Sequence, residues 1–258
     1  MAPDLALLLT TAASIGVVHT LLGPDHYLPF VALSKARAWG VRRTAAITAA
    51  CGVGHVLGSI VIGAIGIAAG TAVEQLVHIE SWRGDLAAWL LLGFGLAYFA
   101  WGAKRALRGE AHSHAHAHAD GTRHVHTHDH RLAPHVHPHG AAPAAAGVVT
   151  FAPVPAKTAG LTALATPWTL FIIFVFGPCE PLIPVLMYPA AHGNWLAVAT
   201  VCLAFALSTI GTMLAIVLAI RHGLDAIGAR AHGMERWSHA LAGATLSACA
   251  AAIIFLGL

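Results

Sequence analysis

Two short motifs place chemistry-bearing residues beside helix-breaking ones. Asp25 and His26 stand in Gly23-Pro24-Asp25-His26, with Pro29 beyond, and Cys179 and Glu180 stand in Gly177-Pro178-Cys179-Glu180, with Pro181 next. His19 precedes His26 by seven residues, and His55 lies in Gly54-His55-Val56-Leu57-Gly58-Ser59. Imidazole, carboxylate and thiolate together suit a borderline divalent transition metal such as Ni2+, Co2+ or Zn2+, whereas Mg2+ and Ca2+ favour all-oxygen shells. His26, Asp25 and His55 are the first candidate ligands. In an unbroken helix His19 and His26 would share a face about 10 Å apart, too far for one ion. The Gly23-Pro24 break can shorten that distance, so His19 reads either as a ligand across the kink or as a relay on the approach. Cys179 reads as a ligand by its alignment with Asp25 or as a small buried hydrophobe, and Cys51, Cys202 and Cys249 as hydrophobes. Ser208 and Thr212 either complete a ligand shell or bond backbone carbonyls.

A second group of histidines has different surroundings. His112, His114, His116 and His118, then His124, His126, His128 and His130, then His135, His137 and His139 alternate with other residues in a stretch poor in large apolar side chains. Such a stretch has too little to bury and is expected to be disordered without ligand. Alternating neutral imidazoles chelate borderline metals, and binding weakens in mild acid, near the ordinary imidazole pKa of about 6.5. These eleven residues are candidates for secondary metal capture. His78 and Glu80, just before Trp82, read as a solvated outer loop, with an entry or exit contact as the alternative.

The elements that must position the first group are membrane helices. Of 258 residues 57% are hydrophobic and only 10% charged, against about a quarter charged in soluble chains. The mean hydropathy is +0.72. A net charge of +3 with scattered basic residues excludes a nucleic-acid partner. All four cysteines fall in apolar stretches without a CxxC, so neither a disulfide scaffold nor a zinc ribbon is indicated. With about 20 apolar residues needed to cross the hydrocarbon core, six spans are expected, at 5–33, 44–72, 86–103, 161–190, 196–220 and 238–257. The first has no basic residue before Lys35 and reads as a retained span rather than a signal peptide. Placing Lys and Arg in the cytoplasm assigns thirteen of the fourteen basic residues to that side, Arg83 being the exception. Both termini are then outside and the histidine-rich loop is cytoplasmic, in a cell (inner) membrane.

The two Gly-Pro motifs are offset by 154 residues, and the pair His55 and Ser208 by 153. Near-equal offsets suggest duplication, and three spans per unit invert the second copy. The expected fold is all-α and integral to the membrane: six helices as a 3+3 inverted repeat with the first and fourth helices broken. The units are residues 1–103, a histidine-rich disordered loop at 104–160, and residues 161–258. Gly-Pro within a span frees backbone groups, which lipid tolerates only where they face protein, water or an ion. In inverted repeats the breaks meet near the midplane and form the substrate site. Asp25 and Glu180 are the two acidic residues placed deepest in apolar spans, where a charge such as Asp costs about 2.5–3.5 kcal/mol on insertion scales.

At His19-Thr20-Leu21-Leu22-Gly23-Pro24-Asp25-His26 and at Gly54-His55 followed by Gly58, the chain resembles the nickel and cobalt transporter superfamily. In that superfamily's uptake branch an early His is followed by four residues and then Asp-His, and its efflux branch carries a His pair across a short Pro-Gly turn and often a histidine-rich loop. Here five residues intervene, so the chain stands between the branches. The resemblance implies metal translocation in either direction. Gly177-Pro178-Cys179 with Pro181 is similar instead to the Pro-Cys breaks of membrane thiol electron carriers, which implies a thiol-disulfide carrier using Cys179, with Cys51 or Cys202 as an irregular partner. A small-anion exporter fits poorly with two buried carboxylates. The expected function is therefore not enzymatic: alternating-access transport of Ni2+, Co2+ or Zn2+ as substrate at His19, Asp25, His26, His55, Cys179 and Glu180. No permanently bound cofactor is expected. The expected partners are the lipid bilayer, the metal and protons as counter-ions, with homo-oligomerisation open.

Overall fold

The computed structural model describes residues 5–108, 112–117, 123–128, 159–227 and 235–257. These residues are almost entirely helical. Helix α1 (Leu5–Leu22) runs to a 3-10 turn at Pro24–His26, and α2 (Leu28–Ala36) follows; then come α3 (Val41–Ala68) and α4 (Val73–Arg108). After the histidine-rich segment, α5 (Ala159–Phe176) and α6 (Leu182–Ala191) flank residues 177–181, and α7 (Trp195–Ile227) and α8 (Ser238–Leu256) complete the chain.

Both interruptions have the same local cause. Pro24 and Pro178 lack a backbone N–H and crowd the preceding turn, and each follows a glycine, itself a poor helix former, so the two residues together favour a break where Pro167 alone stays within α5. The Gly23 N–H still closes the last turn of α1 on the His19 carbonyl at 3.0 Å, and the Gly177 N–H closes that of α5 on Phe174 at 3.0 Å. Restart is favoured by proline at the first helical turn, Pro29 in α2 and Pro181 ahead of α6.

Among the described residues, five helices are long and apolar enough to cross a membrane: α1, α3, α4, Trp195–Leu224 of α7, and α8. The stretch expected as a fourth span is divided into two shorter apolar helices, Thr166–Phe176 and α6. Large apolar side chains point outward along these helices, among them Leu57, Ile65, Trp89, Leu203 and Leu207. The inward face of α3 instead carries Thr44, Thr48, Cys51, His55, Ser59, Gly63 and Gly66 at helical spacing. Apolar outside with small and polar residues inside is the pattern of a multi-pass membrane protein, because lipid offers no hydrophobic drive for helices to associate and close backbone approach must supply it.

Helix α4 departs from expectation. It starts at Val73, well before the expected span at 86–103, and its 36 residues extend about 54 Å at 1.5 Å per residue. The residues expected as a solvated loop around Glu80 are therefore helical. The packing is exchanged between the two halves: α1 lies chiefly on α7 and α5 on α3, and α4 and α8 pack along each other, while α2 lies on α8 and α6 lies on α7 and α3 with a smaller contact to α4.

Within the loop, His112–Ala117 and Arg123–His128 pair as an antiparallel ribbon, in register His112 to His128, His114 to His126 and His116 to His124. Local strand pairing takes up the inward-facing backbone groups of these twelve residues, which departs from the wholly irregular segment expected. His118, His130, His135, His137 and His139 lie outside the described residues.

Candidate metal site

The break after α1 folds His26 back toward His19. Their ring centroids are 4.6 Å apart, edge to face, less than half the separation an unbroken helix would impose. His55, reaching in from α3, has its centroid 5.0 Å from that of His26 and 6.1 Å from that of His19. Three imidazoles, from α1, from the 3-10 turn that follows it and from α3, thus crowd one point.

His26 is fixed at one edge. Its Nδ1 lies 3.1 Å from Asp25 Oδ1 and 3.2 Å from the Gly23 carbonyl, so the proton on that nitrogen is donated within the break itself. Its Nε2 then faces His55 Nε2 at 3.4 Å. Two facing imidazole nitrogens require a shared proton or a nearby cation, because their lone pairs otherwise repel. Both rings are buried, while the Asp25 carboxyl is 27% exposed. Asp25 opens onto a cavity of about 500 Å3 that is also lined by His19, His26 and His55 and otherwise mostly by apolar side chains from α1, α4 and α5.

Cys179 comes from the other break. One ligand atom each from His19, His55 and Cys179 lies within 4.8 Å of the other two. Cys179 is fully buried and does not line the cavity, so it sits behind the wall that His19 and His55 help to form. His19 Nε2 is buried with no hydrogen-bond partner, and His55 Nδ1 makes no hydrogen bond of normal geometry. Buried orphan nitrogens beside a thiol suit a soft or borderline cation, since a polar atom out of water is costly unless something satisfies it.

Of the six candidate ligands, the structure gathers His19, His55 and Cys179 into one group, with His26 attached to it through His55 and Asp25 attached through His26. Glu180 is only partly buried and belongs to neither this group nor the cavity lining. Ser208 bonds the Phe205 carbonyl of its own helix at 2.9 Å. All four cysteines are free; Cys202 shares an apolar cluster with Cys179, and Cys51 belongs to another.

A buried ion pair beside the second break was not expected. Glu80 is fully buried and Arg83 is 7% exposed, and the two are paired on α4. This corrects the solvated reading of Glu80, which is more deeply buried than Asp25 or Glu180. Glu80 Oε2 accepts a hydrogen bond from Ser59 Oγ at 2.7 Å and from the Cys179 N–H at 3.0 Å. Arg83 Nη2 donates to the carbonyls of Val175 at 2.8 Å and Gly177 at 3.2 Å. The sequence signal was Arg83 itself, the single basic residue outside the orientation pattern, with an opposite charge three residues before it on the same helix face. Gly58 leaves room for this arrangement: a Cβ there would stand 2.7 Å from Arg83 Nη2 and 2.9 Å from the Val175 carbonyl.

Comparison with protein-family models, curated proteins and solved structures finds no match for this chain.

Proposed function

We propose that the chain is a secondary transporter of a divalent transition metal, nickel or cobalt above all, which binds between two inverted three-helix halves and is exposed alternately to either side. The observation that carries the proposal is the convergence of His19, His55 and Cys179, three ligands of two types drawn from both halves, within 4.8 Å at the two broken helices. A thiolate with the Asp25 carboxylate would neutralise a divalent cation, which lowers the cost of holding charge away from water. The company of Cys179 favours metal binding over thiol exchange, because its nearest chemistry is two imidazoles.

The six-span repeat, with the divided α5 and α6 as its fourth span, is supported by the exchanged packing, in which α1 on α7 is mirrored by α5 on α3 and α4 pairs with α8. Glu80-Ser81-Trp82, followed by Leu86-Ala87, also recurs as Glu235-Arg236-Trp237, followed by Leu241-Ala242, at an offset of 155. This third correspondence agrees with the offsets at the breaks and at His55. The ligands are nevertheless unequal between the halves: the first supplies His19, Asp25, His26 and His55, and the second supplies Cys179. Protons are the natural counter-ions, since imidazole and thiol donors must shed them to bind metal and regain them on its release. The histidine-rich loop acts as a cytoplasmic capture segment.

Purified protein in liposomes loaded with a metal-sensitive dye tests this reading. Flux of Ni2+, Co2+ or Zn2+ is expected, with loss in His55→Ala and Cys179→Ser. Parental flux in both variants would overturn the assigned site.

A further inference from the structure

We infer that Glu80 and Arg83 are a positioning pair for Cys179, holding the interrupted backbone of residues 175–179 so that the Cys179 sulfur meets His19 and His55. The inference rests on the metal reading and adds residues that touch no metal themselves.

A helix interruption leaves peptide groups without partners, and the identity of whatever satisfies them sets the path of the chain. At the second break those partners come largely from one charged pair. Arg83 Nη2 spans the carbonyls of Val175 and Gly177, on either side of the end of α5, and Glu80 Oε2 takes the N–H of Cys179. The residue whose backbone is clamped is therefore the residue whose side chain joins the ligand group. Ser59 closes the arrangement from α3 by donating to the same Glu80 oxygen at 2.7 Å. Ser59 lies one helical turn from His55, so a single hydrogen-bonded unit ties the thiol-bearing break to the helix that carries the facing imidazole. Among the described residues the first break has no such external clamp: the Gly23 carbonyl is met by the backbone N–H and the side chain of His26. The second break can thus keep Cys179 in place without spending the thiol on local bonding, because the neutral pair takes up the Val175 and Gly177 carbonyls and the Cys179 N–H.

The test uses the full chain in detergent with cobalt as the probe, in a background where Cys51, Cys202 and Cys249 are replaced by alanine. Thiolate-to-cobalt charge-transfer absorption reports the Cys179–metal bond, and titration gives the Kd. Glu80→Ala and Arg83→Lys are expected to weaken cobalt binding by about 10–100-fold, the usual effect of disturbing groups that orient ligands. The charge-transfer band should fade more than the visible ligand-field bands. Glu80→Gln should recover part of the band, since its amide oxygen still accepts from the Cys179 N–H. Arg83→Lys keeps the charge beside Glu80 but loses the planar fork that reaches two carbonyls, and it serves where Glu80→Ala does not fold. Alkylation of Cys179 without metal is the second arm: release of the clamp should raise its rate severalfold while helix content is unchanged. Folded variants with parental charge-transfer band and parental alkylation would overturn the inference. If the parent itself shows no cobalt–thiolate band, the metal reading fails, and the alkylation arm alone decides whether the pair positions Cys179.

Discussion

The sharpest probe of the site is the smallest side chain beside it. A methyl group added at Gly177 would place Cβ 2.9 Å from His55 Nδ1 and 3.1 Å from the Phe174 carbonyl. Ordinary contact begins at 3.4 Å, so one side of the contact must retreat by about half an ångström, and the carbonyl belongs to the last turn of α5. The imidazole is the freer partner, but its ring is hemmed by His19, His26 and Phe174. Ligand distances to a bound metal tolerate only about 0.2 Å. Gly177→Ala is therefore expected to raise the Kd for cobalt about tenfold, the lower end of the range for disturbed ligand surroundings, with proteoliposome flux at low metal falling in proportion. Gly211→Ala is the matched control. It lies in α7, three residues from Ser208, and a Cβ there meets nothing within 4 Å, while helix propensity favours alanine by about 1 kcal/mol. Its Kd should stay within about twofold of the parent, well below the effect expected of a disturbed ligand shell. Parental affinity in folded Gly177→Ala, or an equal fall in both variants, would refute the placement of His55 against the second break.

Three further outcomes follow from the same structure. Arg83→Leu leaves Glu80 buried without its cation and should cost about 3–5 kcal/mol of stability; adding Glu80→Leu should restore part of that in a double-variant cycle by steric-trap or denaturant unfolding, and strict additivity would deny the pairing. Metal binding should release protons and weaken steadily as pH falls, because imidazole and thiol donors bind protons in competition with the metal; calorimetry in buffers of different ionisation enthalpy would detect this, and identical heats would speak against these donors. Deleting residues 112–139 should alter apparent metal affinity or regulation while leaving membrane assembly intact, and loss of assembly would contradict a capture role.

Much of the fold could be read from hydropathy, because apolar runs long enough to cross a bilayer are a length signal and need no knowledge of partners. The breaks were legible for a similar reason: proline acts through its own ring and missing N–H, wherever the helix lies. His19, His55 and Cys179 were legible as chemistry out of place in apolar surroundings. Their grouping was not, since the distance from His19 to His26 depends on how sharply Gly23-Pro24 turns the chain. Glu80 reads as solvated from sequence for a related reason. Charges near the start of a span look like a loop when their partners, Ser59 and the backbone at 175–179, are remote in sequence. Glu180 shows the converse: it shares a motif with Cys179, but in the turn between α5 and α6 adjacent residues face different ways, and only the cysteine reaches the histidines.

The exchanged packing has a consequence for how the protein is made. Helix α1 leaves the ribosome early, but its main neighbour α7 begins about 170 residues later, a wait of roughly ten to forty seconds at 5–20 residues per second. Throughout that interval the helix carrying His19 lacks the surface it finally rests on, and α3 likewise waits for α5. Neither half is a finished folding unit by itself, so synthesis of the second half is itself an assembly step. A fragment ending after α4 should be an early target of membrane quality control, and co-expressed halves should recover each other only when both are inserted at the same time.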